Sequence, residues 1–424
     1  MNYEQALEYI HDTRWRGSRR TLDRIKLMLE KMGNPQNKLK AVHIAGTNGK
    51  GSTSACIAEI LMKAGYKVGL YTSPFIKRYN ERMRINGRQI PDDTLSMLTD
   101  ELSKIADSLP EHPTEFEFGT AVAFEYFYRE KCDIVVLEAG MGGETDATNA
   151  IERSEVSVFA AIGLDHMQYL GPTIRDIART KSGIIKENGT VCSYVQEKDA
   201  AEELEKKCKE MNARIHYADF SEIKNTVYSL DGTEFDYKNM HIKLALPGTY
   251  QPYNAAVAID TVLLLRDKGW KITDENILDG LRNVYWPGRF EVLSQSPVFI
   301  LDGAHNGHGI KAAADSLKEM FGNNKIIFVL GVMADKDIDD MLPLIAPLAK
   351  EVVTLTPHNP RAMDSEVLAR KIEEYGVPAT GYTDIDSGVA EAVRRAGDTG
   401  IICALGSLYF SDDVKNAAKR ALVN

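Results

Sequence analysis

The segment HIAGTNGKGSTS, residues 43–54, combines residue types that suit the binding of a phosphate chain. It holds three glycines, one lysine and four hydroxyl side chains. Glycines let a backbone curl until several N–H groups point at one anion, and the N-terminus of a following helix adds partial positive charge. Lys50 would neutralise the outer phosphates, and Ser52 or Thr53 would offer a hydroxyl to Mg²⁺.

The setting of this segment predicts a binding loop for ATP or GTP. It follows an apolar strand pattern and precedes a helix pattern that begins near Ser52. Gly51 departs from the usual spacing, in which a serine or threonine directly follows the lysine. A glycine-rich turn without a ligand is the alternative, which the flanking strand and helix disfavour. The predicted nucleotide-binding residues of the loop are Gly46, Thr47, Asn48, Gly49, Lys50, Gly51, Ser52 and Thr53.

Polar side chains also follow other apolar runs, at the strand ends where ligand crevices open in α/β sheets. Glu138 ends the run IVVLE, and it is predicted to hold Mg²⁺ because a carboxylate inside an apolar strand is rarely a packing residue. Asp165 and His166 lie just past another run, where a hydrogen-bonded structural histidine is the alternative to a metal ligand. Asp302 and His305 follow a later run. Polar groups in both halves of the chain predict a site in a cleft between two domains.

Short apolar runs alternate with amphipathic helix patterns, which predicts mainly parallel sheets covered by helices. The first set of predicted strands is KAVHIA (40–45), KVGLY (67–71), DIVVLEAG (133–140) and VSVFAAIG (156–163). The second set is PVFILDG (297–303), KIIFVLGV (325–332), EVVTLT (351–356) and GIICALG (400–406).

Two α/β domains are therefore predicted. Residues 1–295 would form a P-loop ATPase-type ATP-binding domain with a mainly parallel sheet and helices on both faces. Residues 296–424 would form a smaller Rossmann-like α/β domain. The boundary is placed near residue 295 because the preceding segment carries a Pro-Gly turn signal.

Composition limits the classes of function. The chain has 424 residues, 44% of them hydrophobic and 26% charged, and a formal net charge of −10. That charge disfavours binding along a nucleic acid backbone. No secretory signal or membrane-spanning run is visible, so we expect a cytoplasmic protein with small-molecule partners and no membrane partner. Five scattered cysteines without a C-x-x-C pair favour reduced, packing residues over disulfides or a zinc site.

Nine motifs occur in one order over nearly the whole chain and carry a family resemblance. They are GNPQNKLKAVHIAGTNGKGST (33–53), YTSPFIKRYNERMRINGRQI (71–90), LEAGMGGETDATN (137–149), GLDHMQYLGPTIRDIARTKSGIIK (163–186), LPGTYQPYNAAVA (246–258), WPGRFE (286–291), LDGAHN (301–306), GVMADKD (331–337) and GSLYF (406–410). With these motifs the chain resembles the folylpolyglutamate synthase and dihydrofolate synthase family, within the Mur ligase superfamily of ATP-dependent amide-forming enzymes.

The resemblance implies that a folate or dihydropteroate carboxylate attacks the γ-phosphate of ATP. The resulting acyl phosphate would then react with the amino group of L-glutamate. It also implies a bifunctional enzyme, a monomer, and two Mg²⁺ sites. The implied metal ligands are Ser52, Ser73 and Glu138, with His166 at the second site; the implied nucleotide contacts beyond the loop are Asn254, Arg289 and Asp302. Lys181 matches a lysine that resembles the family's carbamylated one, and the implied catalytic residues are Lys50, His166, Lys181, Asp302 and His305.

Some alternatives stay open at this stage. Another Mur-type amino acid ligase would usually carry an additional N-terminal domain, for which the loop begins too early. A P-loop nucleotide switch would leave the motifs of the second half unexplained. Lys181 could be an exposed helix lysine, and the basic segment 14–26 could be a solvated face or could meet an anionic polyglutamate tail. Ser407 and Tyr409 could line a glutamate pocket or pack against the last helix. The departures from the family pattern at Phe75, Glu144 and Gly307 remove no predicted ligand.

Overall fold

The computed structural model describes residues 1–12, 21–334, 336 and 338–423. Most of the basic segment 14–26, and positions 335 and 337 of the motif at 331–337, therefore lie outside the described residues. The chain divides into two compact units. The first comprises Met1–Ile223 and Tyr253–Val284, and the second comprises Lys224–Pro252 and Tyr285–Asn424.

The first unit is built on an eight-stranded, mainly parallel sheet. Its strands are β1 (Ala41–Ala45), β2 (Val68–Tyr71), β3 (Met83–Ile85), β4 (Arg88–Gln89), β5 (Ile134–Glu138), β6 (Val156–Phe159), β7 (Thr190–Ser193) and β8 (Arg214–Tyr217). Their spatial order is β4-β3-β2-β5-β1-β6-β7-β8. The six strands from β2 to β8 in this order are parallel, and β3 and β4 are antiparallel additions at one edge.

Helices connect these strands. They are α1 (Tyr3–Asp12), α2 (Asp23–Lys31), α3 (Lys50–Lys63), α4 (Asp92–Asp107), α5 (Glu115–Arg129), α6 (Met167–Leu170), α7 (Ile174–Ser182), α8 (Lys198–Glu210), α9 (Gln251–Asp267) and α10 (Asp274–Asn283). Every residue of β1 and of β5 is buried, as expected for parallel strands in the middle of a covered sheet. Helix α3 begins at Lys50, two residues before the start predicted from the sequence.

The second unit contains two sheets. Strands β9 (Lys224–Ser229), β10 (Gly232–Tyr237) and β11 (Met240–Leu244) form an antiparallel sheet. The six-stranded sheet has the order β12-β13-β17-β14-β15-β16 and is parallel except for β12. Its strands are β12 (Glu291–Gln295), β13 (Val298–Leu301), β14 (Ile326–Leu330), β15 (Ala349–Leu355), β16 (Ala379–Tyr382) and β17 (Ile401–Leu405), with helices α11 (Gly307–Phe321), α12 (Leu342–Ile345), α13 (Ser365–Glu373), α14 (Ile385–Ala396) and α15 (Ser411–Val423).

The two-domain α/β prediction is confirmed, and all eight predicted strands are present. The division of the chain differs from a single boundary near residue 295. That position lies between β12 and β13, which pair as an antiparallel hairpin in one sheet. The Pro-Gly signal marks the turn that leads into this hairpin, and the three-stranded sheet belongs to the second unit although it precedes α9 in sequence.

All five cysteines are free thiols, and four of them are buried, as expected for packing residues. Within the described part of the chain, no helix combines the length and apolar character needed to cross a membrane.

Candidate active site

The predicted phosphate loop connects β1 to α3 in a tightly held conformation. Gly46 and Gly49 both have positive φ, 153° and 86°. The N–H groups of Thr47 and Asn48 donate to the carbonyl oxygen of Ala161, at 2.8 and 3.1 Å, which ties the loop to the chain that follows β6. A Cβ atom on Gly46 would lie 2.8 Å from Cβ of Ala160. The loop is therefore fixed by its neighbour, and glycine is required where the two backbones approach.

Two lysine ammonium groups meet at one carbonyl oxygen of this loop. Nζ of Lys181 lies 2.7 Å from the carbonyl oxygen of Gly46, and Nζ of Lys50 lies 3.2 Å from it. Lys181 is buried, with 4% of its surface exposed, so the reading of it as an exposed helix lysine is wrong. Burial and the nearby charge of Lys50 lower the pKa of Lys181 to about 7.

Glu138 lies beside the phosphate loop because of strand register. It ends β5, and its register partner in β1 is Ile44, two residues before Gly46. The side chain is only 4% exposed. One carboxylate oxygen accepts a hydrogen bond of 3.2 Å from the N–H of Ser73. The register thus brings together a carboxylate, the Ser73 segment and the loop, and the metal role of Glu138 and Ser73 stays a prediction.

Asn254 lies against the same loop. A Cβ atom on Gly49 would be 2.3 Å from Oδ1 of Asn254, so the first turn of α9 packs directly on the residue that precedes Lys50. Ser52 and Thr53 are both buried in α3, and the hydroxyl of Thr53 has no hydrogen-bond partner in the part of the chain that the structure describes. An unsatisfied buried hydroxyl at a phosphate loop fits a ligand that supplies acceptors.

His166 is the N-cap residue directly before α6 and has a positive φ of 52°, and 42% of its side chain is exposed. Its N–H donates to Oδ1 of Asp165 at 2.8 Å. The segment before it is fixed to the phosphate loop, since the hydroxyl of Thr47 donates to the carbonyl oxygen of Gly163 at 2.9 Å. His166 therefore follows a segment attached to the loop, and its metal role stays a prediction.

The second unit contains the other predicted residues. Asp302 is buried, and its carboxylate accepts three hydrogen bonds, from the hydroxyl of Tyr250 (2.9 Å) and from the N–H groups of Phe290 (2.8 Å) and Ala304 (2.7 Å). These bonds fix the backbone on the C-terminal side of Arg289. Burial and the adjacent carboxylate raise the pKa of Tyr250 well above its ordinary value. In this unit Asp302 organises the Arg289 segment, and its catalytic role stays a prediction.

Arg289 and His305 are also held in the second unit. Nη1 of Arg289 donates to the carbonyl oxygen of Gly288 at 3.0 Å, and a Cβ atom on Gly303 would lie 2.3 Å from the same nitrogen. Nδ1 of His305 lies 2.8 Å from the carbonyl oxygen of Gly303, so this nitrogen carries the hydrogen. Asn306 caps α11 by accepting from the N–H of Gly309.

Sequence reasoning missed a group of aromatic side chains around Arg82. The guanidinium of Arg82 lies 5.3 Å from the ring centres of Phe75 and Tyr79 and 6.0 Å from that of Phe116. Its Nε and Nη1 atoms are buried, with no hydrogen-bond partner among the residues described. Phe116 also packs on Gly140, two residues after Glu138. The available sequence signal was the number of arginine and aromatic residues in the motif at 71–90.

A second missed group is Asp146 and Thr148, in the loop after β5. The hydroxyl of Thr148 donates to Oδ1 of Asp146 at 2.5 Å and lies 2.8 Å from Nε2 of His43. All three side chains are buried. Burial raises the pKa of Asp146, and burial together with Lys186 lowers the pKa of His43 to about 3.

The donors beside the loop fit Mg²⁺ better than a softer metal. Glu138 and the hydroxyl groups of Ser52 and Ser73 offer hard oxygen atoms, which Mg²⁺ prefers, and Mg²⁺ commonly takes its remaining ligands from water and phosphate. Among the described residues there is no cluster of three or more histidine, cysteine, aspartate or glutamate side chains that could hold a metal by itself. The set therefore fits a metal that binds together with the nucleotide.

Comparisons with known proteins identify the family. Residues 44–262 match the Mur ligase middle domain, and residues 288–408 match the Mur ligase glutamate ligase domain. The chain is 33% identical to dihydrofolate synthase/folylpolyglutamate synthase of Bacillus subtilis (strain 168), over 98% of this chain and 99% of that protein.

The chain belongs to the Mur ligase family, among its dihydrofolate and folylpolyglutamate synthases. This Mur ligase is also 34% identical to folylpolyglutamate synthase of Lacticaseibacillus casei, over 98% of each chain. Its fold is similar to that of Mycobacterium tuberculosis folylpolyglutamate synthase complexed with ADP and AMPPCP, with a TM-score of 0.88, 28% identity and 99% of each chain covered. Escherichia coli FolC in complex with DHPP and ADP gives a TM-score of 0.87 at 27% identity, over 99% of this chain and 98% of that one.

Membership in this family makes the protein an ATP-dependent ligase that forms amide bonds to amino acids, as the sequence predicted. The phosphate loop, Glu138 and Asn254 lie within the match to the middle domain. Arg289, Asp302 and His305 lie within the match to the glutamate ligase domain.

Proposed function

We propose that this Mur ligase joins L-glutamate to the carboxylate of dihydropteroate and also to the terminal carboxylate of a folate. The observation that carries the proposal is the convergence of Lys50 and Lys181 on the carbonyl oxygen of Gly46, one strand away from Glu138. Curated relatives of nearly the same length are named as dihydrofolate synthase/folylpolyglutamate synthase, which supports both activities in one chain.

The reaction requires one carboxylate and one amine to be joined through an activated intermediate. An oxygen of the substrate carboxylate attacks the γ-phosphorus of ATP, and the bond from that phosphorus to the β,γ-bridging oxygen breaks to release ADP. The deprotonated amine of glutamate then attacks the carbonyl carbon of the acyl phosphate. Phosphate leaves with the former carboxylate oxygen, and the amine loses its second proton to solvent.

The phosphate loop binds and orients the nucleotide in this proposal. Its glycines and the first turn of α3 direct backbone N–H groups toward the phosphates. Lys50 exchanges its present carbonyl acceptors, Gly46 and Thr47 at 3.2 Å each, for phosphate oxygens when nucleotide binds. Asn254 contacts the nucleotide from α9. In the second unit, Arg289 would contact the nucleotide, with Asp302 holding its segment.

Glu138, with Ser52 and Ser73, would hold a first Mg²⁺, and His166 would belong to a second site. Mg²⁺, when bound, neutralises the charge that the transferring phosphoryl group develops. Lys181 is proposed to act as a carbamate. A neutral amine is needed to take up CO₂, and the pKa of about 7 produced by burial and Lys50 makes that form abundant at neutral pH. A carbamate would replace the ammonium group by an anion beside Lys50.

The aromatic side chains around Arg82 supply a site for a flat heteroaromatic substrate. Phe75 and Phe116, which are partly buried, offer ring faces, and Tyr79 packs beneath them in the core. The unsatisfied N–H groups of Arg82 offer donors to ring nitrogen or carbonyl acceptors. Thr72 connects this group to the metal ligands, because its N–H donates to the carbonyl oxygen of Arg82 while Ser73 donates to Glu138. We propose that the pterin and aminobenzoyl part of the substrate lies here.

The proposed acyl phosphate can be tested with a substrate whose carboxylate is labelled with ¹⁸O. Dihydropteroate, ATP and glutamate are incubated with the purified protein, and the released phosphate is analysed by mass spectrometry. Transfer of one labelled oxygen to phosphate for each amide formed supports the mechanism. ADP release without label transfer, or without any need for a carboxylate substrate, would instead favour a nucleotide switch.

A further inference from the structure

Three polar residues in the loop after β5 form a buried group that has no role in the proposed mechanism. Asp146, Thr148 and Asn149, here called the DATN cluster, are all less than 9% exposed. They lie at the end of the loop that follows β5, eight to eleven residues after Glu138. Buried polar groups that are fully hydrogen-bonded fix one arrangement of their surroundings.

One arm of the cluster joins β1 to the loop after β5. Thr148 has a single hydroxyl hydrogen, which it donates to Asp146 at 2.5 Å. Nε2 of His43 must therefore donate to Thr148, at 2.8 Å, and His43 is the neutral tautomer with its hydrogen on Nε2. The other oxygen of Asp146 accepts from the N–H of Met141 at 2.9 Å. His43 lies three residues before Gly46, and Met141 lies three residues after Glu138.

The other arm joins the same loop to the end of α7. Nδ2 of Asn149 donates to the carbonyl oxygens of Glu144 and Gly183, each at 3.1 Å, and Oδ1 accepts from Nζ of Lys186 at 2.8 Å. Gly183 lies two residues after Lys181. A Cβ atom on Gly183 would be 2.4 Å from Cα of Glu144, so the two backbones are in direct contact at this point.

We propose that Thr148 and Asn149 are positioning residues for the ligase reaction. Through them, one buried cluster fixes three segments at once: β1, which leads to Lys50; the loop after β5, which follows Glu138; and the end of α7, which carries Lys181. Neither residue touches substrate. The cluster holds Glu138 and Lys181 at a fixed separation, so that the Mg²⁺-nucleotide is bound in one geometry. This proposal rests on the assignment of Glu138 and Lys181 to the Mg²⁺-ATP site.

A merely structural cluster and a positioning cluster give different results when the Thr148 hydroxyl is removed. Thr148→Val keeps the side-chain volume but leaves His43 and Asp146 without their shared partner, whereas Thr148→Ser keeps the hydroxyl. Thr261→Val is a matched control, because Thr261 is also fully buried and its hydroxyl donates only to a carbonyl of its own helix, that of Val257, at 2.8 Å. Thr148→Val removes the two buried hydrogen bonds of its hydroxyl, and Thr261→Val removes one, so the control reports the effect of losing a buried hydroxyl far from the cluster.

The test compares nucleotide binding by isothermal titration calorimetry with AMPPCP as the probe, with and without Mg²⁺, together with melting temperature. We expect Mg²⁺ to tighten binding to the wild type. In Thr148→Val that enhancement should fall by about tenfold, the usual effect of losing a residue that orients a metal ligand. Affinity without Mg²⁺ should stay the same. Thr148→Ser and Thr261→Val should keep the wild-type enhancement, although Thr261→Val lowers the melting temperature.

Steady-state kinetics provide a second readout. Thr148→Val should lower kcat by about tenfold or more while the KM for glutamate stays unchanged. Should Thr148→Val not fold, Asn149→Ala tests the other arm with the same expectations. Wild-type Mg²⁺ enhancement in the folded variant, or an equal loss in Thr261→Val, would overturn the positioning role.

The failure of the proposed function is separable from the failure of this inference. Wild-type protein without glutamate-dependent ADP release on either substrate would refute the function. Active wild type with an unaffected Thr148 variant would refute only the inference.

Discussion

Nζ of Lys181 lies 2.7 Å from the carbonyl oxygen of Gly46, the same oxygen to which Nζ of Lys50 donates at 3.2 Å. Burial disfavours the charged form of Lys181, and the repulsion between two cations at one oxygen adds to that cost. This relationship explains why the pKa of Lys181 falls from 10.5 to about 7. A change of charge at Lys181 would therefore act directly on the phosphate loop.

If Lys181 acts as a carbamate, the ADP-forming activity of the protein should depend on CO₂. Protein kept free of bicarbonate should lose most of its ADP-forming activity, and added bicarbonate should restore it. Only the neutral amine reacts, so with a pKa of about 7 roughly half of the amine is reactive at pH 7 and about a tenth at pH 6. At equal concentrations of dissolved CO₂, recovery should therefore be several-fold faster at pH 8 than at pH 6. Equal recovery at both pH values would contradict the assignment, and Lys181→Met should not respond to bicarbonate.

Gly49→Ala should weaken nucleotide binding by at least about tenfold, because its Cβ atom would lie 2.3 Å from Oδ1 of Asn254. The residue also has a φ of 86°, which adds strain of about 1 to 2 kcal/mol for alanine. Gly33→Ala is the matched control, since Gly33 has a φ of 80° with no atom within 4 Å of the added Cβ. Calorimetry should show reduced AMPPCP affinity in the first variant alone, and equal loss in both would contradict the contact.

Arg82→Met should raise the KM for dihydropteroate by about tenfold or more, since hydrogen bonds from a charged donor contribute about 1.5 to 3 kcal/mol. The KM for ATP should not change. Arg88→Met, at an exposed position in β4, is the control. A rise in the KM for ATP, or no effect on either substrate, would show that the heteroaromatic group binds elsewhere.

The lowered pKa of His43 predicts that the folded protein loses stability in acid. Its pKa is lowered from 6.5 to about 3 in the folded protein, so between these values the unfolded chain binds more protons. The contribution of neutral, buried His43 to the free energy of unfolding is fully present above pH 6.5 and is lost as pH falls toward 3. At about 1.4 kcal/mol per pKa unit, this contribution is a few kcal/mol. His43→Gln keeps a donor for Thr148 without titrating. Urea unfolding at pH 7 and pH 5 should show a smaller decrease for this variant than for the wild type, and an equal decrease would refute the role of His43.

The sequence predicts those site residues that are recognisable from their immediate sequence neighbours. The phosphate loop, Lys50 and Glu138 each follow an apolar strand, and both α/β units could be predicted from the alternation of such strands with helices. The hydrogen bond between His43 and Thr148 joins a strand to a loop across 105 positions of sequence. No periodic sequence pattern predicts such a contact. Arg82 was missed for a similar reason, because its aromatic neighbours come from two separate segments. The Pro-Gly turn before β12 is locally the same whether it ends a domain or begins a hairpin.

The ligase assignment is tested most directly by ADP release measured in parallel with dihydropteroate and with a reduced monoglutamyl folate, in the presence of Mg²⁺-ATP. Release with both substrates should require L-glutamate, should yield one new amide per ADP, and should disappear in Glu138→Gln. Release that proceeds without glutamate, or that neither substrate stimulates although another carboxylate does, would contradict the account.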